Sequence, residues 1–281
     1  MNTYTGYREV NLTDEEFAAL YTDEKGLAES CGMLVNEYLV AKVGDEIKDI
    51  RRFDGEKFAH ISNRTIQSRF LGKVSPRNIQ QKMLLDMLYN DDITIKMVSG
   101  KFGSGKTFLM SSAAVDMCER HKYDKIVYVR NNIEVKNSKP IGFLPGTFNE
   151  KLLPFAMPLA DHLGGSDGLE LMIKNGTIEI VHLGFIRGRD IKNSIILCSE
   201  AENLTKEHIQ LLIGRVGEGS SLWLDGDVKQ QDDVVFEKNS GISVAVDRLK
   251  GHPRFGYVKL QKTERSETAA MADLLDDRGG T

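Results

Sequence analysis

Apolar positions change period along this chain, and the changes mark its elements. Five short runs read as strands: Ile93, Ile95, Met97 and Val98; Lys125 to Arg130; Ile178 to Leu183; Ser194 to Cys198; and Ser221 to Leu224. The Ser194 run is continuously apolar, as a buried parallel strand should be. Helical spacing lies between them: Ile79, Met83, Leu84, Met87 and Leu88; then Thr107 to Glu119; then Leu204 through Ile213. A further helical stretch, Phe148 to Leu163, carries Pro154 and Pro158 and should kink or split.

The first 73 residues have a different character. Thr13-Asp14-Glu15-Glu16 has capping-box spacing ahead of Phe17, Leu20 and Tyr21, so a short helix should begin there. Met33 to Val43 and Glu46 to Phe53 flank a Gly44-Asp45 turn, and Lys57 to Ile61 adds a third strand. Lys73-Val74-Ser75-Pro76 breaks both periodicities and reads as a linker. The expected organisation is a small β-rich accessory module over 1–73, an α/β core over 74–275 and a flexible tail over 276–281.

Composition narrows the class. The chain has 281 residues, 41% hydrophobic and 28% charged, enough for one substantial core and a small second unit. Its net charge of -4 offers no global attraction to nucleic acid, so any such binding needs a local basic face. Cys31, Cys118 and Cys198 are scattered and odd in number, which argues against a disulfide framework or a zinc site. No apolar stretch approaches ~18 residues and Met1 to Val10 is polar, so a cytoplasmic protein is expected.

The chemistry centres on Gly100-Lys101-Phe102-Gly103-Ser104-Gly105-Lys106-Thr107, a G-x-x-x-x-G-K-T loop between a strand and a helix. Its glycines let the backbone amides from Gly100 through Phe102, Gly103, Ser104 and Gly105 approach phosphate oxygens, and the following helix dipole favours the negative charge. Lys106 would reach the β- and γ-phosphates, and Thr107 would offer its hydroxyl to Mg²⁺. Gln81, off the apolar stripe of the preceding helix, could read adenine through its amide. Two arginines around a glycine, Arg187-Gly188-Arg189, could grip a phosphate or a nucleic acid, or form an exposed basic turn.

Two further strand ends carry acids. The Ser194 strand ends in Ser199-Glu200: Glu200 can position a water, while Ser199 stands at the Mg²⁺-side position where an aspartate is expected. The Ser221 strand ends in Asp225-Gly226-Asp227 with Gln230 following, placing Asp227 and the Gln230 amide where they can sense a γ-phosphate.

In this order the phosphate loop, Gly142-Phe143-Leu144-Pro145-Gly146, the Arg187 triplet, Glu200-Ala201 with Asn203, and Gly226-Asp227 with Gln230 resemble the PhoH-like (phosphate-starvation-inducible) ATPase family over roughly 74–275. The resemblance implies a RecA-like core with a mainly parallel sheet flanked by helices, related to superfamily 1 helicases. It further implies ATP and Mg²⁺ as cofactors, RNA or single-stranded DNA as partner, and a homo-oligomer with a hexameric ring as one form. Some family members carry a PIN-type RNase domain; the first 73 residues are too short for one, so nuclease activity is not expected. The family's usual Asp-Glu-Ala-Gln-Asn reads Ser199-Glu200-Ala201-Glu202-Asn203 here, which implies weaker metal binding or slower turnover. An arginine acting on the γ-phosphate is expected at Arg265, with Arg215 as second choice. Two functions fit these residues: an ATPase coupled to a polynucleotide, or a nucleotide-gated oligomeric assembly module with little or no hydrolysis.

Overall fold

The computed structural model describes residues 4–130, 156–227 and 240–264. Strand β1 (Tyr7–Asn11) is followed by helices α1 (Asp14–Thr22) and α2 (Glu24–Ser30). The Thr13 hydroxyl accepts from the Glu16 N–H while the Glu16 carboxylate accepts from the Thr13 N–H, which is the capping box read from the sequence. Strands β2 (Tyr38–Val43), β3 (Glu46–Phe53) and β4 (Phe58–His60) form the expected meander, and β1 joins it parallel to β2. One face of this sheet packs its own core of Leu20, Leu27, Leu39, Phe53 and Phe58. The other face presents Tyr38 and Val40 to the main core, so β2 is apolar on both faces.

The module is fastened to the helix that leads into the phosphate loop, α3 (Ile79–Tyr89). Tyr38 donates to Asp86 at 2.9 Å, and Arg52 Nε donates to the same carboxylate at 3.1 Å. Strands β5 (Ile66–Ser68) and β6 (Gly72–Val74) form a small hairpin. Lys73 and Val74 therefore lie in a strand rather than a linker, because Val74 is drawn into the main core.

Helix α3 leads to β7 (Ile95–Gly100), α4 (Lys106–Glu119) and β8 (Lys125–Arg130). Residues 156–160 are helical, and α5 (Gly165–Lys174), β9 (Ile178–His182), β10 (Ser194–Cys198) and α6 (Lys206–Ile213) come next. Strand β11 (Ser221–Gly226), helix α7 (Gly241–Leu249) and β12 (Phe255–Leu260) complete the described core.

Six strands pair in the order β12-β7-β11-β10-β8-β9, all parallel. Each crossover returns the chain over a face, so all six carboxyl ends share one edge. Ile195, Leu197 and Trp223 face the core shared with α3 and α4, while Ile196, Leu222 and Leu224 face that of α6 and α7. This is the RecA-like phosphate-loop architecture expected. Buried Lys96 donates to the Leu88 carbonyl near the end of α3 at 2.5 Å and lies over the Trp223 ring, where burial pulls its amine down to about 7.

Among the described residues no helix is long and apolar enough to cross a membrane. The Gly142 to Gly146 motif, the 148–155 part of the expected kinked helix, Gln230, Arg265 and the tail lie outside the described residues.

Candidate functional site

The loop leaves β7 at Gly100, where a Cβ would stand 2.4 Å from the Leu260 carbonyl oxygen of β12. Gly103 and Gly105 have φ of +80° and +85°, conformations that other L residues adopt only under strain. Gly105 caps α4 without a side chain, so the first-turn N–H groups of a 14-residue helix are presented to the loop. Lys106 folds its amine onto the loop, donating to the Gly100 carbonyl at 2.5 Å and the Lys101 carbonyl at 3.1 Å. The segment after β12 closes over the same loop, with the Glu264 N–H donating to the Gly103 carbonyl at 3.0 Å.

Gln81 is buried rather than on an open helix face. Its side-chain amide donates to the Ser104 carbonyl at 3.0 Å and accepts from the Arg77 N–H at 2.8 Å. The amide expected to read adenine is thus turned to the phosphate loop and ties α3 to it.

Two strand ends, those of β10 and β11, meet the loop around one cavity of about 380 Å³. From β11, Asp225 accepts the Thr107 hydroxyl through Oδ2, is only 2% exposed, and has no hydrogen-bond partner for Oδ1 among the described residues. Burial pushes its carboxyl up, opposed first by the Thr107 hydrogen bond and then by Lys106. From β10, the Ser199 hydroxyl shares a 2.5 Å hydrogen bond with Tyr128 of β8. Glu200 follows in the left-handed region at φ +56°, and its carboxylate meets the Arg130 guanidinium at 2.5 Å. The Asp227 N–H donates to Glu202 at 3.1 Å, and burial pushes the Glu202 carboxyl up to about 8. Phe102, 66% exposed, stands at the mouth with His162, whose ring packs edge-on against Phe108.

Lys106, Thr107, Phe102, Ser199, Glu200 and Asp227 therefore share one cavity. Among the described residues, Arg187, Arg189 and Arg215 do not line that cavity. Arg189 pairs with Glu179 at 2.8 Å, and Arg215 donates to the Arg189 carbonyl at 3.3 Å. Both precede the amino ends of β10 and β11, at the edge of the sheet opposite the loop, because the chain must return there before each parallel strand. Arg187 is exposed outside the cavity lining. Ser199, expected on the metal side, is engaged by Tyr128, and the carboxylate that meets Thr107 is instead Asp225.

Three residues of the site were not picked out from sequence. Asp225 had a signal, the doubled acid of Asp225-Gly226-Asp227 closing an apolar strand. Arg130, the charge ending β8, had a weaker one, and Glu202 carried no local sign of its burial.

The donor set suits a hard divalent cation carried by phosphates. Among the described residues no three His, Cys, Asp or Glu side chains converge to hold a metal unaided. A single hydroxyl beside a buried carboxylate with an orphaned oxygen fits Mg²⁺, which keeps most of its shell from phosphates and water.

Residues 73–275 match the family described as PhoH-like protein. The chain belongs to that family. Protein PhoH2 of Bacillus subtilis (strain 168) is 33% identical over 97% of this chain and 64% of its own length. The PhoH-like protein of the same organism is 30% identical over 82% of this chain and 72% of its own. The chain spans less than two thirds of that PhoH2 relative. Among solved structures, Pif1 helicase from Candida albicans aligns over 73% of this chain and 44% of its own at 16% identity, with a TM-score of 0.39.

Proposed function

We propose that this chain binds ATP with Mg²⁺ at the carboxyl edge of its sheet and hydrolyses it, coupling turnover to RNA or single-stranded DNA. The observation that carries this is the convergence of Lys106, Thr107 and Glu200 on one cavity at the tip of the phosphate loop. Lys106 would exchange its two loop carbonyls for phosphate oxygens, a stronger, charge-assisted partner. Thr107 would hold the cation, which when bound neutralises phosphate charge. Glu200 would accept a proton from, and orient, the attacking water, with Asp227 at the γ-phosphate side.

A small accessory module ahead of the α/β core, a homo-oligomer with a ring as its form, and a cytoplasmic setting belong to the same reading. Arg265 remains the first candidate for the arginine that acts on the γ-phosphate, and Arg215, which in such an assembly could serve a neighbour's cavity, the second. Membership of the PhoH-like family supports the nucleotide reading. Phosphate release measured with and without single-stranded RNA tests it. Release should depend on Mg²⁺, rise with RNA, and fall at least about 100-fold in Glu200→Gln; undiminished release in Lys106→Ala or Glu200→Gln would overturn it.

One observation favours a nucleotide-gated module with little hydrolysis. Arg130 engages the Glu200 carboxylate, so the group that would orient water is occupied until Arg130 releases it. On that reading ATP binds and changes assembly while release stays slow with or without RNA.

A further inference from the structure

Strands β10 and β11 are parallel neighbours with Cys198 opposite Leu224, so the next residues, Ser199 and Asp225, end the two strands side by side. Both continue the pleat whose earlier members, Leu197 and Trp223, pack under α3 and α4. Both therefore close the sheet on the α4 side, about 4.8 Å apart by ordinary strand spacing. One position holds a serine where the resemblance calls for an aspartate, and the other holds a buried aspartate. The serine hydroxyl is taken by Tyr128. The aspartate accepts the Thr107 proton, which leaves both lone pairs of that hydroxyl for a cation, and its second oxygen has no partner among the described residues.

We infer that this chain has moved the carboxylate supporting the nucleotide's divalent cation by one strand, from the end of β10 to Asp225 at the end of β11. Asp225 is then a positioning residue: it orients Thr107 and offers Oδ1 to the cation's water shell. Ser199 is consequently not a defect to be repaired. An aspartate restored at 199 beside Asp225 would bring two carboxylates together in a site that already disfavours charge by burial.

This rests on the nucleotide reading above, and the test separates the two. Affinity for a fluorescent ADP is measured in Mg²⁺ and in EDTA for the wild type and for Lys106→Ala, Asp225→Asn, Ser199→Asp and the Ser199→Asp/Asp225→Asn double variant. Melting temperatures check folding; should Asp225→Asn not fold, Asp225→Ser carries the same test. Asp225→Asn should lose about 10–100-fold of the Mg²⁺-dependent affinity and keep its affinity in EDTA. The double variant should regain most of the loss, and Ser199→Asp alone should bind no better than wild type. Wild-type Mg²⁺ dependence in folded Asp225→Asn, or Ser199→Asp alone binding more tightly in Mg²⁺, would overturn the relocation while leaving the ATP site standing. No nucleotide binding by the wild type, or none lost in Lys106→Ala, would overturn both.

Discussion

The Arg130 guanidinium at the end of β8 closes on the Glu200 carboxylate just past the end of β10, Nη2 to Oε2 at 2.5 Å. The strands are parallel neighbours with Val129 opposite Cys198, so the pair is a direct product of sheet order. Arg130 is held at 16% side-chain exposure while Glu200 remains 49% exposed, so the arginine is the more enclosed partner and the glutamate the more solvated one. A half-exposed pair contributes little stability. Its consequence is chemical: the carboxylate proposed to orient water starts out engaged.

Arg130→Gln should therefore raise polynucleotide-independent phosphate release several-fold with little change in melting temperature. Adding Glu200→Gln should abolish that gain. A fall in release in Arg130→Gln instead would mean that the guanidinium itself serves the reaction.

Gln81 sits between α3 and the phosphate loop, each end of its amide engaged. Gln81→Ala should leave the buried Ser104 carbonyl short of a partner and free the Arg77 N–H, costing about 1–3 kcal/mol in chemical denaturation. It should also weaken ATP and GTP by the same factor. A selective loss of ATP would restore the base-reading role read from the sequence.

Glu202 supplies a pH signature. Its folded carboxyl is raised to about 8 by burial, against roughly 4.3 in an unfolded chain. A raised carboxyl contributes stability that is complete below the unfolded value and is lost as pH rises through the folded one. Melting temperature should accordingly decline from pH 6 to 8.5, and the uncharged Glu202→Gln should flatten this by the equivalent of on the order of 2 kcal/mol. Parallel curves for the two proteins would show that Glu202 does not titrate in this window.

Much of the core was legible because its signals are local. The phosphate loop announces itself by residue type, and β8, β9, β10 and β11 are apolar runs bounded by polar residues. What escaped depends on partners distant in sequence. β1 is an ordinary alternating segment until it is set parallel to β2, and β12 gains its meaning from lying beside β7. Lys73 and Val74 look like linker residues because Ser75-Pro76 comes next, yet Ile66 and the main core hold Val74 in a hairpin. In the site, Glu200 and the loop were readable as types in order, whereas Asp225 meeting Thr107, and Arg130 meeting Glu200, require the strand order. The arginines at 187, 189 and 215 show the converse, since their residue type suggested phosphate and their place in the crossovers took them away from the cavity.

Gly6 tests the seam between the two sheets. At φ +81°, its added Cβ would fall 1.8 Å from the Tyr257 carbonyl oxygen, beside the point where the Lys259 N–H donates to Thr5. Gly6→Ala should destabilise by at least about 2 kcal/mol and lower the melting temperature, since both the backbone conformation and the contact must give way. A neutral result would mean that the N-terminal segment is not fastened along β12.

The most direct measurement is titration calorimetry of ATP with Mg²⁺ against the wild type and Lys106→Ala at matched melting temperature. The wild type should bind one ATP per chain, and Lys106→Ala should bind roughly 10–100-fold more weakly, as loss of one charge-assisted phosphate contact requires. Equal affinity in the two proteins would contradict an ATP site built on this loop.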